Sequence, residues 1–161
     1  MENATKSSEP DLANAVVSWT GGKDGCYSCY EAMLDGWRVT HLLSFRNKSK
    51  IGSHDINPDL IRAQSEAVGV PLIQKDFTSY EQEFKKTIKD LRIQGERIDG
   101  AIFGHIQTHK SLVDRICMDL NLRLLLPLWK RDSSSILKGI IDSGFEVLVV
   151  SVKDGLLGRE W

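Results

Sequence analysis

Cysteine is scarce and odd in number: the 161-residue chain has three, Cys26, Cys29 and Cys117. That count excludes the dense disulfide framework of a small secreted domain. Neither sign of charge dominates, with 21 basic against 22 acidic residues and a formal net charge of −1. Such a balance exerts no long-range pull on nucleic acid or anionic membrane, so neither is expected as a direct partner. No apolar run is long enough to span a bilayer. The stretch from Met1 to Asp11 is polar and lacks the apolar core of a signal peptide. A cytoplasmic address is the expectation. Internal repeats and low-complexity segments are also missing. So are two common nucleotide motifs, Gly-x-x-x-x-Gly-Lys-Ser/Thr and Gly-x-Gly-x-x-Gly.

What is present is the composition of one ordinary globular domain, 41% hydrophobic and 27% charged. The length suffices to bury a core without staples. Residues 1–12 read as a disordered polar tail and 13–161 as a single α/β domain. Ala15–Trp19 is a short apolar run expected as a buried strand. A glycine loop and a helix over Gly25–Leu34 follow, with Cys26, Cys29, Tyr30 and Met33 along one side. Val39–Phe45 is a second strand and Arg46–Asn57 a polar loop. Pro58 suits the first turn of a helix running to Val68 and closed by Gly69. Val70–Gln74 is a third strand. Ser79 and Gln82 have capping-box spacing at the head of a long helix to about Gln94. Ile98–Gly104 is a fourth strand, His109–Asn121 a helix, Ser133–Ser143 another, and Phe145–Val152 a final strand. Strands alternating with helices of this size predict a doubly wound, parallel five-stranded sheet, Rossmann-like, with helices on both faces.

The segment Ser18-Trp19-Thr20-Gly21-Gly22-Lys23-Asp24-Gly25 joins the first strand to the first helix. The first turn of a helix leaves backbone N–H groups without partners, and the helix dipole adds partial positive charge there. Glycines let the backbone approach an anion closely. Gly21 and Gly22 provide that approach, Ser18 and Thr20 offer hydroxyl donors, and Lys23 can neutralise charge. Together they predict a phosphate cradle. Asp24 is read either as the helix cap or as a contact for magnesium. In open α/β sheets the ligand edge is the carboxyl edge of the strands. Phe45, His54, Gly104 and His105 fall there, at or after the second and fourth strands, and join the candidate set.

These residues resemble the pyrophosphate loop of the ATP pyrophosphatases in the adenine nucleotide alpha-hydrolase superfamily. The variant beginning Ser18-Trp19-Thr20-Gly21-Gly22-Lys23-Asp24 is similar to that of the diphthine–ammonia ligase family. Ala63–Leu72, Gly100–Gly104, Val113–Cys117, Leu126–Trp129 and Gly144–Glu146 fall in that family's order. The resemblance implies ATP cleaved between its α and β phosphates. A substrate carboxylate is adenylated, pyrophosphate leaves, and ammonia displaces AMP to give an amide. It implies ATP and Mg2+ as cofactors, Lys23 and Asp24 in the chemistry, and diphthine on translation elongation factor 2 as the acceptor.

Three departures from the family pattern stand out. Gly25 occupies a position that is usually Ser. His105 follows the fourth strand's glycine, where the family often has an acid. The family's C-terminal region, with its Glu-Gly-Gly-Glu-type segment, has no counterpart here. The last leaves open a homodimer in which a second copy completes the acceptor pocket. Two alternatives are kept beside the ligase. One is a nucleotide-binding module without efficient chemistry. The other is a thiol redox protein, because Cys26-x-x-Cys29 opens a helix whose N-terminus lowers thiol pKa. His105 and His109 do not supply the four ligands of a zinc site.

Overall fold

The computed structural model describes residues 12–48, 56–105 and 107–150. The polar tail lies outside them, apart from Leu12, and so does His54. Within them run β1 (Asn14–Ser18), α1 (Lys23–Leu34), β2 (Arg38–Asn47), α2 (Pro58–Val68), β3 (Leu72–Phe77), α3 (Tyr80–Ile93), β4 (Gly100–Ile102), α4 (Lys110–Leu120), β5 (Arg123–Leu125) and α5 (Ser133–Asp142). The five strands form one sheet in the order β3-β2-β1-β4-β5. Every pairing is parallel. Among the described residues no helix is long and apolar enough to cross a membrane.

The sheet is buried on both faces because alternate residues of the central strands supply two cores. Val16 and Leu43 pack with Phe84, Ile88, Val113 and Ile116 from α3 and α4. Ala15, Val17 and Leu42 turn the other way, against Cys29 and Ala32 of α1 and Ile61 of α2. A smaller cluster, Tyr27, Leu128, Ile136 and Ile140, fastens α5 to the outer side of α1.

The amino end of β1 is held by a satisfied polar knot. Asn14 is buried; its Nδ2 donates to the Arg97 carbonyl at 2.8 Å, and its Oδ1 accepts from Arg38 Nε at 2.8 Å. The Asn14 backbone N–H donates to Asp99 Oδ2 at 2.9 Å. That bond, ahead of the Arg97 guanidinium, holds the Asp99 carboxyl below its ordinary range.

Helix ends follow the expected chemistry. Asn57 caps α2 by accepting from the Asp59 N–H at 2.9 Å, and Gly69 closes it at φ 73°. Ser79 Oγ accepts from the Gln82 N–H at 3.4 Å.

Several expectations need correction, among them the third strand, which is Leu72–Phe77 rather than Val70–Gln74, and the fourth, which is Gly100–Ile102 rather than Ile98–Gly104. The fifth strand is Arg123–Leu125, part of the apolar stretch after α4, and Phe145–Val150 is in no strand. The latter segment is rich in β-branched residues, but it pairs with no strand among the described residues. Leu148 is consequently 84% exposed. The second strand runs on to Asn47, because Arg46 and Asn47 find parallel partners in Asp76 and Phe77. The side of α1 that meets the protein carries Gly25, Tyr27, Ser28, Cys29 and Ala32, whereas Met33 is exposed.

These positions separate in a stability measurement. Ile88→Ala, in the core under β1, should cost about 2–5 kcal/mol by chemical denaturation. Leu148→Ala should stay within about 0.5 kcal/mol. An equal loss at Leu148 would put Phe145–Val150 back in a packed strand.

Candidate functional site

The chain leaves β1 for β2 on one side and reaches β4 on the other, so the carboxyl ends of β1 and β4 border the crevice where the winding reverses. The amino end of α1 sits in that crevice. Gly22 is its N-cap, in extended conformation, and no side chain caps it. The N–H groups of Lys23, Asp24 and Gly25 therefore have no intrahelical acceptor. Asp24 is the second helical residue rather than the cap, which settles one half of its expected role.

Two cavities open here. One of about 290 Å³ is lined by Ser18, Thr20, Gly22 to Gly25, Gly104 and His105. Eight of the predicted site residues thus meet at one place. The other, about 490 Å³, is bordered by Thr20, Phe45, Arg46, Ile61, Lys75 and Asp76 among others. Thr20 lines both, so the two adjoin. Arg46 Nε bonds Asp76 Oδ1 at 2.9 Å at the rim of the larger one.

The approach of β4 to α1 depends on Gly104. A Cβ there would lie 2.7 Å from the Gly25 nitrogen and 2.8 Å from the Asp24 carbonyl carbon. Neither backbone atom has room to yield. Gly25 is different: a Cβ would meet the Ser18 carbonyl at 3.6 Å, an ordinary contact. A serine would fit the space that Gly25 leaves.

Side chains around the cavity are partly engaged. Lys23 Nζ lies 2.7 Å from Asp24 Oδ1. Ser18 Oγ and the Tyr80 hydroxyl are 2.8 Å apart. Tyr80 is wedged between Phe45, Phe77 and Phe84, and burial pushes its hydroxyl pKa up, against the Ser18 bond. It therefore stays protonated and can donate to Ser18, freeing the serine hydrogen for a ligand. His105 stacks on Phe103 at 5.8 Å between ring centres. Its Nδ1 is buried without a hydrogen-bond partner. Desolvation first, and His109 second, lower its pKa, so the ring is neutral at pH 7.

Among the described residues, two predicted ones line neither cavity. The Trp19 indole is buried in the core beneath the loop. Gly21, at φ 81°, shapes the turn from behind. Sequence reasoning missed Tyr80 and Gln64. Tyr80 had a signal, since it follows the capping Ser79 at the carboxyl end of β3. Gln64 had two signals, its place in the family-like stretch Ala63–Leu72 and its position one turn beyond Ile61 on α2, and neither pointed to the loop.

The redox expectation is reversed by burial. Cys29 is pushed up to about 12, by desolvation and then by Cys26, and Cys26 is raised by desolvation. Both thiols are free and protonated at neutral pH, where a redox nucleophile needs a thiolate. Among the described residues no cluster of three or more His, Cys, Asp or Glu side chains forms a metal site.

A sequence model described as the diphthamide synthase N-terminal domain matches residues 13–124. The chain belongs to that family. Among relatives of this diphthamide synthase domain, the diphthine–ammonia ligase of Danio rerio is 26% identical over 83% of the chain. The human diphthine–ammonia ligase is 24% identical over 86%. The chain spans 62% and 60% of their respective lengths. Two solved structures share the fold. One, described as a predicted subunit of tRNA methyltransferase from Methanocaldococcus jannaschii, has TM-score 0.55 and 15% identity over 84% of this chain and 77% of its own. The other, from Pyrococcus horikoshii, has TM-score 0.51 and 14% identity over 83% of this chain and 42% of its own.

The two cavity glycines predict opposite outcomes. Gly104→Ala should lower stability by about 1–3 kcal/mol through overpacking against α1. Gly25→Ser should leave the thermal midpoint unchanged or higher, since serine is the better helix former. A destabilised Gly25→Ser protein would show that the loop lacks the space described.

Proposed function

We propose that this chain binds ATP with its phosphates at the Ser18–Gly25 loop and works as an ATP-dependent, amide-forming ligase. The observation that carries this is the uncapped amino end of α1, lying in the sheet crevice with two hydroxyls and Lys23 around it. Each donor suits an anion, and family membership supports a ligase. The adjoining cavity beside Phe45 and Arg46 is large enough for the nucleoside half.

In the proposed reaction a carboxylate oxygen attacks the α phosphorus, the bond to the β-phosphate oxygen breaks, and pyrophosphate departs. Ammonia nitrogen then attacks the acyl carbon. The carbon–oxygen bond to AMP breaks, and the nitrogen loses a proton to water. Negative charge grows on the departing pyrophosphate. Donors fixed beside it stabilise the transition state more than the ground state. Lys23 supplies charge, and the helix N–H groups and the Ser18 and Thr20 hydroxyls supply hydrogen bonds. Magnesium suits the single carboxylate of Asp24, because the ion is held by one or two carboxylates together with substrate phosphates. Bound there, it would offset phosphate charge. The acceptor proposed is diphthine, as the relatives' name indicates, carried on translation elongation factor 2.

A second reading is nucleotide binding without turnover. Gly25 favours it, since the hydroxyl that the family usually places there is missing. Incubation with ATP, Mg2+, ammonium and the diphthine-bearing acceptor separates the two. The ligase reading expects AMP and pyrophosphate in equal amounts, and a loss of about 10²–10³-fold in kcat for Lys23→Ala. ADP and phosphate as sole products would reject it. Calorimetric ATP binding with no product would establish the second reading.

A further inference from the structure

Gln64 is separated from the loop by more than 40 residues of chain, yet its amide grips the loop at two points. Its Oε1 accepts from Trp19 Nε1–H at 3.0 Å, and its Nε2 donates to the Gly21 carbonyl at 3.0 Å. Chemistry fixes which way the amide faces. An indole N–H only donates and a carbonyl only accepts, so a flipped amide would set donor against donor and acceptor against acceptor. The two gripped residues flank Thr20, which lines both cavities.

The second bond has a consequence for Gly22. The peptide between Gly21 and Gly22 is planar and trans, so drawing its carbonyl toward α2 turns its N–H the opposite way. That N–H makes no hydrogen bond among the described residues, and Gly22 lines the smaller cavity. Gly21 takes the strain of the turn at φ 81°. Its α-carbon is backed by Ile61 and Ile56, and a Cβ there would lie 2.5 Å from Ile61 Cδ1. The loop is thus pressed from behind by apolar groups and aimed by a single amide.

We infer that Gln64 is a positioning residue: it presets the loop so that the Gly22 N–H and the Thr20 hydroxyl face an incoming phosphate. This rests on the reading that the loop takes nucleotide phosphates. Preorganised donors bind and stabilise charge without reorganising, so loss of the grip lowers affinity and rate while the sheet stays folded.

Two variants test it. Gln64→Leu removes both bonds. Gln64→Glu keeps the acceptor for Trp19 but, when ionised, sets a carboxylate oxygen against the Gly21 carbonyl. Protonation restores an O–H donor there. Calorimetry with Mg-ATP should show both variants at least about tenfold weaker than wild type at pH 8, with thermal midpoints that still report a folded domain. At pH 5.5 the gap to wild type should narrow for Gln64→Glu and persist for Gln64→Leu. Affinity equal to wild type in both variants, or a gap that ignores pH in Gln64→Glu, would overturn the inference and leave the phosphate reading standing. If wild type binds no ATP, the phosphate reading itself fails. The grip is then judged by nuclear magnetic resonance on nucleotide-free protein. A Trp19 indole N–H and a Gly22 N–H unmoved by Gln64→Leu would reject it.

Discussion

The contact on which the site depends is between two stretches of backbone. The chain just beyond β4 passes so close to the first turn of α1 that only a hydrogen fits at Gly104. Everything anion-like about the crevice follows from that closeness. It brings His105 and Gly104 to face the free N–H groups of α1. It also makes one concave space of two segments separated by three strands and two helices of sequence. With a side chain in the gap, the helix end would face solvent. Its dipole would then be spent on water.

Around that contact the cavity divides its work between atoms that move and atoms that do not. The backbone N–H groups of α1 belong to a helix packed along its length on Val17, Leu42 and Ile102. They present charge without needing to be ordered. Lys23 and Asp24 are a surface pair, and an exposed pair of this kind is worth little by itself. The pair therefore holds the Lys23 ammonium only weakly. Ser18 has its orientation supplied from outside the loop, by Tyr80 in an aromatic cluster.

Much of this was readable from the sequence where a local rule applied. The junction at Ser18–Gly25 was visible because strand, glycines and helix follow one another without interruption. Asn57, Gly69 and Ser79 were legible because caps act over two or three residues. The fifth strand was not. Arg123–Leu125 is three residues long and was masked by the apolar run after it. Phe145–Val150 looked more like a strand than β5 does, and only the sheet's topology shows that it has no strand partner among the described residues. Gln64 and Tyr80 were hidden for a related reason. Their partners, Trp19 with Gly21 and Ser18, are brought to them by the fold and lie dozens of residues away. The sign of the thiol shift also turned on tertiary facts, because burial outweighed the helix end that sequence alone suggested.

The attachment of α5 to α1 bears on the helix that follows the loop. Tyr27 lies over Gly139 and packs with Phe145, and Arg131 joins Glu31 at 3.0 Å. These contacts grasp the same helix whose amino end borders the smaller cavity. The helix beside the smaller cavity is therefore braced from two sides, by the sheet and by α5 with its flanking residues.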